Sequence, residues 1–139
     1  MQDNLKPYGV SSWNGFLYVA CARAILKYSM EGQFIHKYPV ESRTLYVTVT
    51  GQGHIVYSSI ETNLVTCMDE TGQVQWEYKN PKLICPYSVD RDESDNIYVC
   101  GSESNNIHIL SSNGKLMKVI EDIPCPAFIK TFKDKGTRS

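Results

Sequence analysis

The chain has 139 residues, 42% hydrophobic and 21% charged, with a formal net charge of -1. These proportions exclude a disordered chain and leave room for one domain with a real core. They also argue against a DNA-gripping module: the 14 Lys and Arg are spread among 15 Asp and Glu, whereas phosphate contacts draw their strength from a basic excess.

The amino-terminal MQDNLKPYGV has no apolar signal core, and no apolar run approaches the ~20 residues that cross a bilayer. No membrane partner is expected, and a cytoplasmic location is. Cys21, Cys67, Cys85, Cys100 and Cys125 are odd in number, and no two form a Cys-x-x-Cys pair. Neither a zinc site nor a disulfide framework is expected from them.

In chain order, short apolar runs alternate with clusters of Gly, Asn, Asp and Ser, the pattern of strands joined by tight turns. The first unit, residues 7–44, predicts strands at Tyr8–Ser11, Phe16–Cys21, Ala24–Tyr28 and Gln33–Tyr38. The second, residues 45–85, predicts Tyr46–Val49, His54–Ser58, Leu64–Met68 and Val74–Tyr78. The third, residues 86–125, predicts Tyr87–Asp90, Ile97–Cys100, Ile107–Leu110 and Leu116–Ile120. Residues 126–139 form an incomplete unit, opening with Pro126–Lys130.

Ordered markers make these units repeats. Turn dipeptides Asn14-Gly15, Gln52-Gly53 and Ser94-Asp95 precede the second strands at spacings of 38 and 42. Hairpin glycines Gly32, Gly72 and Gly114 recur at 40 and 42. A proline opens the first, third and incomplete units at Pro7, Pro86 and Pro126. No helical period is sustained. Four strands per ~40 residues is the blade of a β-propeller. The fold class is therefore all-β, a propeller segment of three four-stranded blades plus the first strand of a fourth. Since a propeller closes with about four to eight blades, the chain is expected to be a fragment, or to need a second copy, to close its ring.

From Asn96-Ile97-Tyr98-Val99 through Asn105-Asn106-Ile107-His108-Ile109 to Asn113-Gly114-Lys115, the third unit resembles an NHL-type repeat. More closely, the chain resembles the carboxy-terminal propeller of invertebrate tripartite-motif proteins. That resemblance implies a six-bladed ring and the substrate-recognition module of an E3 ubiquitin ligase. In that family zinc belongs to the RING and B-box region, whose Cys–His pattern does not occur in this sequence. The chain is thus expected to be non-catalytic, to need no cofactor and to bind a protein partner or ligase substrate. Single-stranded RNA is the alternative partner, since some NHL propellers hold it between aromatic and basic loops. A lactonase-like or quinoprotein-like enzyme is the remaining alternative; Asp69-Glu70-Thr71-Gly72 followed by Trp76 resembles a quinoprotein repeat, in one unit only.

Local chemistry is sparse. Asp90, Asp92 and Asp95 lack the Gly and bidentate Glu positions of a Ca²⁺ loop and read as a polar turn. His36, His54 and His108 are isolated, with no metal-ligand spacing. Cys85-Pro86 and Cys125-Pro126 read as small buried residues. Candidate partner contacts are the loop aromatics and bases Tyr8, Trp13, Arg23, Arg43, Tyr46, Tyr87, Arg91 and Lys130. No catalytic or metal residue is proposed.

Overall fold

Turn chemistry sets the strand ends. Asn14-Gly15 is a two-residue turn with both residues at positive φ (51° and 84°), joining β1 (Gly9–Trp13) to β2 (Phe16–Cys21). Such turns match the right-handed twist of the flanking strands. Elsewhere a polar side chain caps the turn. Thr50 Oγ1 accepts from the amides of Gln52 and His54, and Asp69 Oδ1 from those of Thr71 and Gln73. Asp92 Oδ1 accepts from Ser94 and Asn96, and Ser111 Oγ from Asn113 and Lys115. These Asx and ST turns end in a left-handed residue: Gly53, Gly72, Asp95 or Gly114.

The structure, a computed structural model, describes residues 7–41 and 43–123. The remaining strands are β3 (Ala24–Ser29), β4 (Phe34–Pro39), β5 (Val47–Val49), β6 (Ile55–Ser59), β7 (Leu64–Met68) and β8 (Val74–Tyr78). They are completed by β9 (Pro86–Arg91), β10 (Ile97–Gly101), β11 (Asn106–Leu110) and β12 (Leu116–Ile120). All twelve fall within two residues of the strands expected from sequence. They form three four-stranded antiparallel sheets, β1-β2-β3-β4, β5-β6-β7-β8 and β9-β10-β11-β12. No helix occurs among the described residues. Among the described residues the sheets are propeller blades that do not close a ring. The expected strand at Pro126–Lys130 and the incomplete unit 126–139 lie outside the described residues.

Alternation along each strand sends neighbouring side chains to opposite faces of its sheet. One face of the first blade (Tyr18, Ala20, Ile25, Tyr38) packs against Val47, Val49, Ile55 and Met68 of the second. The opposite face of the second blade (Val56, Val65, Cys67, Tyr78) packs against Val89, Ile97, Val99 and Leu110 of the third, with Leu83 of the connection fully buried between them. Among the described residues the apolar interior is therefore these two interblade layers and a smaller cluster around Cys100 and Ile107 on the far face of the third blade.

Polar contacts fix the distance between blades. The Tyr38 hydroxyl donates to the Glu70 carbonyl at 2.9 Å, and the Trp76 indole N–H to the Ser112 carbonyl at 3.0 Å. In both cases an aromatic on an outer strand meets the outer hairpin of the next blade. The Trp76 ring lies where a Cβ on Gly114 would be, so glycine there permits both the left-handed turn and the approach of the indole. Between the second and third blades runs a relay. The Lys82 amide donates to Asn80 Oδ1 at 2.9 Å, and Asn80 Nδ2 to the Tyr78 hydroxyl at 3.0 Å. That hydroxyl reaches Nδ1 of fully buried His108 at 2.7 Å. Since Tyr78 Oη accepts from Asn80, its own proton points to His108, which suits neutral imidazole.

An irregularity recurs in every outer strand. Pairing shifts by one residue between Lys27 and Tyr28, Cys67 and Met68, and Ile109 and Leu110, leaving Ile35, Gln75 and Met117 as bulged residues.

Two predictions follow from this packing. Gly114→Ala should lower stability by more than ~2 kcal/mol, combining left-handed strain with displacement of Trp76. Trp76→Phe keeps the ring and loses one hydrogen bond, costing about 1 kcal/mol. Urea midpoints in that order check this; equal losses contradict it. Burial holds His108 below the ordinary histidine range. Its contribution is therefore complete above about pH 6.5 and declines as pH falls through that value toward the lower folded-state pKa. Stability curves between about pH 7 and 5 should be flatter for His108→Gln than for the native chain; an unchanged slope assigns the acid sensitivity elsewhere.

Candidate functional site

Antiparallel order divides the loops between two ends of the blades. One end carries the β1–β2, β3–β4 and equivalent hairpins. The other carries the β2–β3, β6–β7 and β10–β11 turns and both blade connections.

Arg23, Arg43, Tyr46 and Tyr87 lie at the connection end. Arg23 is exposed in the β2–β3 turn, its Nη1 donating to the Glu41 carbonyl at 2.5 Å. Arg43 is exposed on the first connection. Its carbonyl accepts from the Ile60 amide at 3.2 Å, and its amide donates to Glu61 Oε1 at 3.3 Å. The backbone is held while the guanidinium is presented. Tyr46 and Tyr87 approach with ring centroids 5.6 Å apart at 55°, a tilted geometry favourable to the ring quadrupoles. Burial, and then the Tyr87 hydroxyl, raise the Tyr46 pKa, keeping that phenol a donor.

The other candidates go elsewhere. Trp13 covers Gly53 of the next blade. Arg91 clamps the second and third blades at the hairpin end. Its Nε donates to the Val49 carbonyl at 2.6 Å, and its Nη1 meets Asp95 Oδ1 at 3.2 Å. Asp95 also accepts from the Gly51 amide at 3.0 Å. Tyr8 stands on the open face of the first blade, and Lys130 lies outside the described residues. Tyr8, Tyr46 and Tyr87 look equivalent in sequence, but strand pairing puts Tyr46 one residue out of phase. Val10, Val47 and Val89 are the equivalent positions, opposite Val19, Tyr57 and Val99. Tyr46 therefore points toward the third blade and Tyr87 back toward the second. That opposition makes them a pair.

Lys82 and Ile84 are connection-end residues not singled out in the sequence. Asn106 Nδ2 donates to the Lys82 carbonyl at 2.8 Å, and the Ile84 amide to Ser104 Oγ at 3.0 Å, leaving both side chains exposed on a fixed backbone. The prolines on either side, Pro81 and Pro86, were the available signal. Cys85, at φ 56°, ends this connection with its amide on Asn63 Oδ1.

At the connection end, exposed Arg23, Arg43, Lys79 and Lys82 are interleaved with exposed Glu41, Glu61, Glu103, Glu121 and Asp122. The hairpin end is acidic: Glu31, Asp69, Glu70, Asp92, Glu93 and Asp95 face Arg91 and Lys115. Asp92 is held in its turn by Asn96, Ser94 and the Tyr98 hydroxyl. Among the described residues no three His, Cys, Asp or Glu side chains are grouped to hold a metal. Burial pushes the Cys67 and Cys100 thiols up to about 11, which suppresses the reactive thiolate.

Comparison with known proteins agrees with this architecture. Human (Homo sapiens) E3 ubiquitin-protein ligase TRIM56 is 32% identical over 108 residues, covering 71% of this chain and 14% of its own length. The mouse (Mus musculus) protein of the same name is 37% identical over 75 residues, 52% of this chain and 10% of its own. The chain thus spans about a seventh or less of these relatives. Among solved structures, Kuenenia stuttgartiensis hydrazine synthase superposes with TM-score 0.78 at 14% identity, over 91% of this chain and 39% of that one. A streptogramin B lyase gives 0.74 at 18%, over 91% and 43%. The RRP9 WD40 repeats give 0.74 at 12%, over 87% and 40%. At such identities these structures share the fold alone. The family model of the lambda-carrageenase β-propeller domain matches residues 25–131, and the chain belongs to that β-propeller family.

Proposed function

We propose that this chain is a non-catalytic recognition segment of an NHL-type propeller. Its connection end would bind the protein partner or substrate of a tripartite-motif-like E3 ubiquitin ligase. The observation that carries the reading is the connection end itself: a tilted Tyr46–Tyr87 pair among interleaved charges of both signs, on loops hydrogen-bonded in place. Protein surfaces are recognised by aromatic anchors within a polar rim. The ligase context rests on the similarity to TRIM56. In this reading the repeat units at 7–44, 45–85, 86–125 and 126–139 belong to a six-bladed ring, the chain needs no cofactor, and it works in the cytoplasm. Single-stranded RNA is the weaker reading, because neither end offers the uncompensated positive charge that phosphates require.

Arg23→Glu, Arg43→Glu and Lys82→Glu should leave stability within about 0.5 kcal/mol, being exposed. They should weaken capture of a crosslink-identified partner about tenfold or more, while the hairpin-end control Glu93→Lys has no effect. Sensitivity at the hairpin end alone would overturn the assignment. Ubiquitination of that partner in cells should depend on the same residues. RNA binding at low salt that collapses with added salt would instead support the nucleic-acid reading.

A further inference from the structure

The relay between the second and third blades has a direction, and that direction depends on a proton. At its outer end stands the Lys82 amide, a backbone group that can only donate. It therefore turns Asn80 Oδ1 toward itself at 2.9 Å and leaves Asn80 Nδ2 to donate to the Tyr78 hydroxyl at 3.0 Å. Tyr78 then donates inward to His108 Nδ1 at 2.7 Å, where only a neutral ring accepts. His108 is fully buried and its Nε2 has no hydrogen-bond partner among the described residues, so Nδ1 carries the ring's hydrogen bond. Tyr78 is buried and Asn80 half-buried, while Pro81 and Lys82 are exposed. The bonds thus run from solvent at the connection end into the interblade layer.

We propose that His108 is a proton-operated latch on the turn at residues 80–82: neutral, it holds the turn closed, and charged, it reverses the relay and opens it. With Nδ1 protonated both ends of the relay are donors, and its three bonds no longer all form with every hydrogen placed. If Asn80 keeps its orientation, Tyr78 Oη accepts from both sides and its own hydrogen is stranded in the buried layer. If the Asn80 amide rotates, Oδ1 takes the Tyr78 hydrogen and Nδ2 meets the Lys82 amide, donor against donor. The second arrangement costs less, because the bond is lost at the exposed end, where water replaces Asn80. Opening is confined to the turn. Leu83 stays fully buried, Asn106 Nδ2 holds the Lys82 carbonyl at 2.8 Å, and Ser104 Oγ holds the Ile84 amide at 3.0 Å.

Few charges compete for the ring. Its cross-strand neighbours are Val99 and Val119, and β6 and β9 bring Val56 and Val89 to the same layer. β7 brings Val65 and Cys67, whose thiol, pushed up to about 11, stays neutral. Burial holds the His108 pKa below the ordinary histidine value. The Lys82 carbonyl and Glu121 favour the charged ring and the Lys82 ammonium opposes it, without reversing that direction. The latch is therefore closed at neutral pH and opens below about pH 6.5. It goes beyond the recognition reading and does not rest on it; where the connection end binds a partner, acid would loosen the segment that presents Lys82.

An NMR titration of the full, isotope-labelled chain tests this. The His108 ring should titrate below about pH 6.5, and the Lys82 amide shift should follow with the same midpoint. The hydrogen-exchange protection factor of Lys82 should fall about tenfold across that midpoint, the effect of one lost hydrogen bond, while Val56 and Val65 keep theirs. Tyr78→Phe breaks the relay and should leave the Lys82 amide indifferent to His108. Asn80→Asp offers an acceptor to both the Lys82 amide and the Tyr78 hydroxyl. It should raise the His108 pKa and keep Lys82 protected in acid. A Lys82 amide that ignores the His108 titration overturns the proposal, as does protection lost at Lys82, Val56 and Val65 together. Coupling that survives Tyr78→Phe, or an Asn80→Asp chain whose turn still opens in acid, overturns it as well. None of these readouts needs a partner, so failure of the latch and failure of the recognition reading stay distinguishable.

Discussion

Every four-stranded sheet in this chain is apolar on both faces, and a sheet that thin cannot bury either face against itself. Burial comes only from the next blade, so Val47, Ile55 and Met68 depend on Tyr18, Ile25 and Tyr38, and Val89 and Leu110 depend on Val56 and Tyr78. Stability in such an array is close to a sum of nearest-neighbour terms. This explains why glycines sit at the outer hairpins, where an aromatic ring must close on the backbone. It also explains why the buried polar relay of Asn80, Tyr78 and His108 lies between blades rather than within one. In a packed apolar layer such a relay fixes the lateral position of one sheet on the next, because any slip strands a buried donor.

The strands, their hairpins and the blade repeat were legible because period-two alternation and turn glycines are local signals. The destinations of side chains were less so. Alternation says that Trp13 and Phe16 occupy defined sides of their strands but not which blade lies there. Trp13 and Arg91, attractive as loop residues, are engaged in contacts between blades. The apparent equivalence of Tyr46 with Tyr8 and Tyr87 failed by one residue. Tyr8 and Tyr87 lie two residues before the equivalent Val10 and Val89, Tyr46 only one before Val47, and a one-residue shift reverses the face. The Tyr46–Tyr87 pair, the most distinctive feature of the connection end, exists because of that reversal. Lys82 and Ile84 escaped notice because their exposure depends on hydrogen bonds from distant Asn106 and Ser104.

The two ends of the blades are chemically distinct although the same repeat builds both. At the hairpin end Asp69 and Asp92 hold turn amides, so the repeat leaves acidic groups there. The connections are tied by side chains of neighbouring turns, Arg23 and Glu61 at the first and Asn63, Ser104 and Asn106 at the second. The connection end thus presents charges of both signs on a hydrogen-bonded backbone, the arrangement expected of binding loops on a rigid scaffold.

The bulges at Ile35, Gln75 and Met117 bear on solubility. Each lies in the outermost strand of its blade, where backbone amides and carbonyls have no further partner strand among the described residues and where Phe34, Val74 and Leu116 add exposed apolar surface. A straight edge of that composition would template cross-chain pairing. One extra residue per edge breaks the ladder and twists the strand, so the rim cannot register with another sheet over any useful length. The same small irregularity, repeated three times, keeps an apolar circumference from becoming an adhesive one.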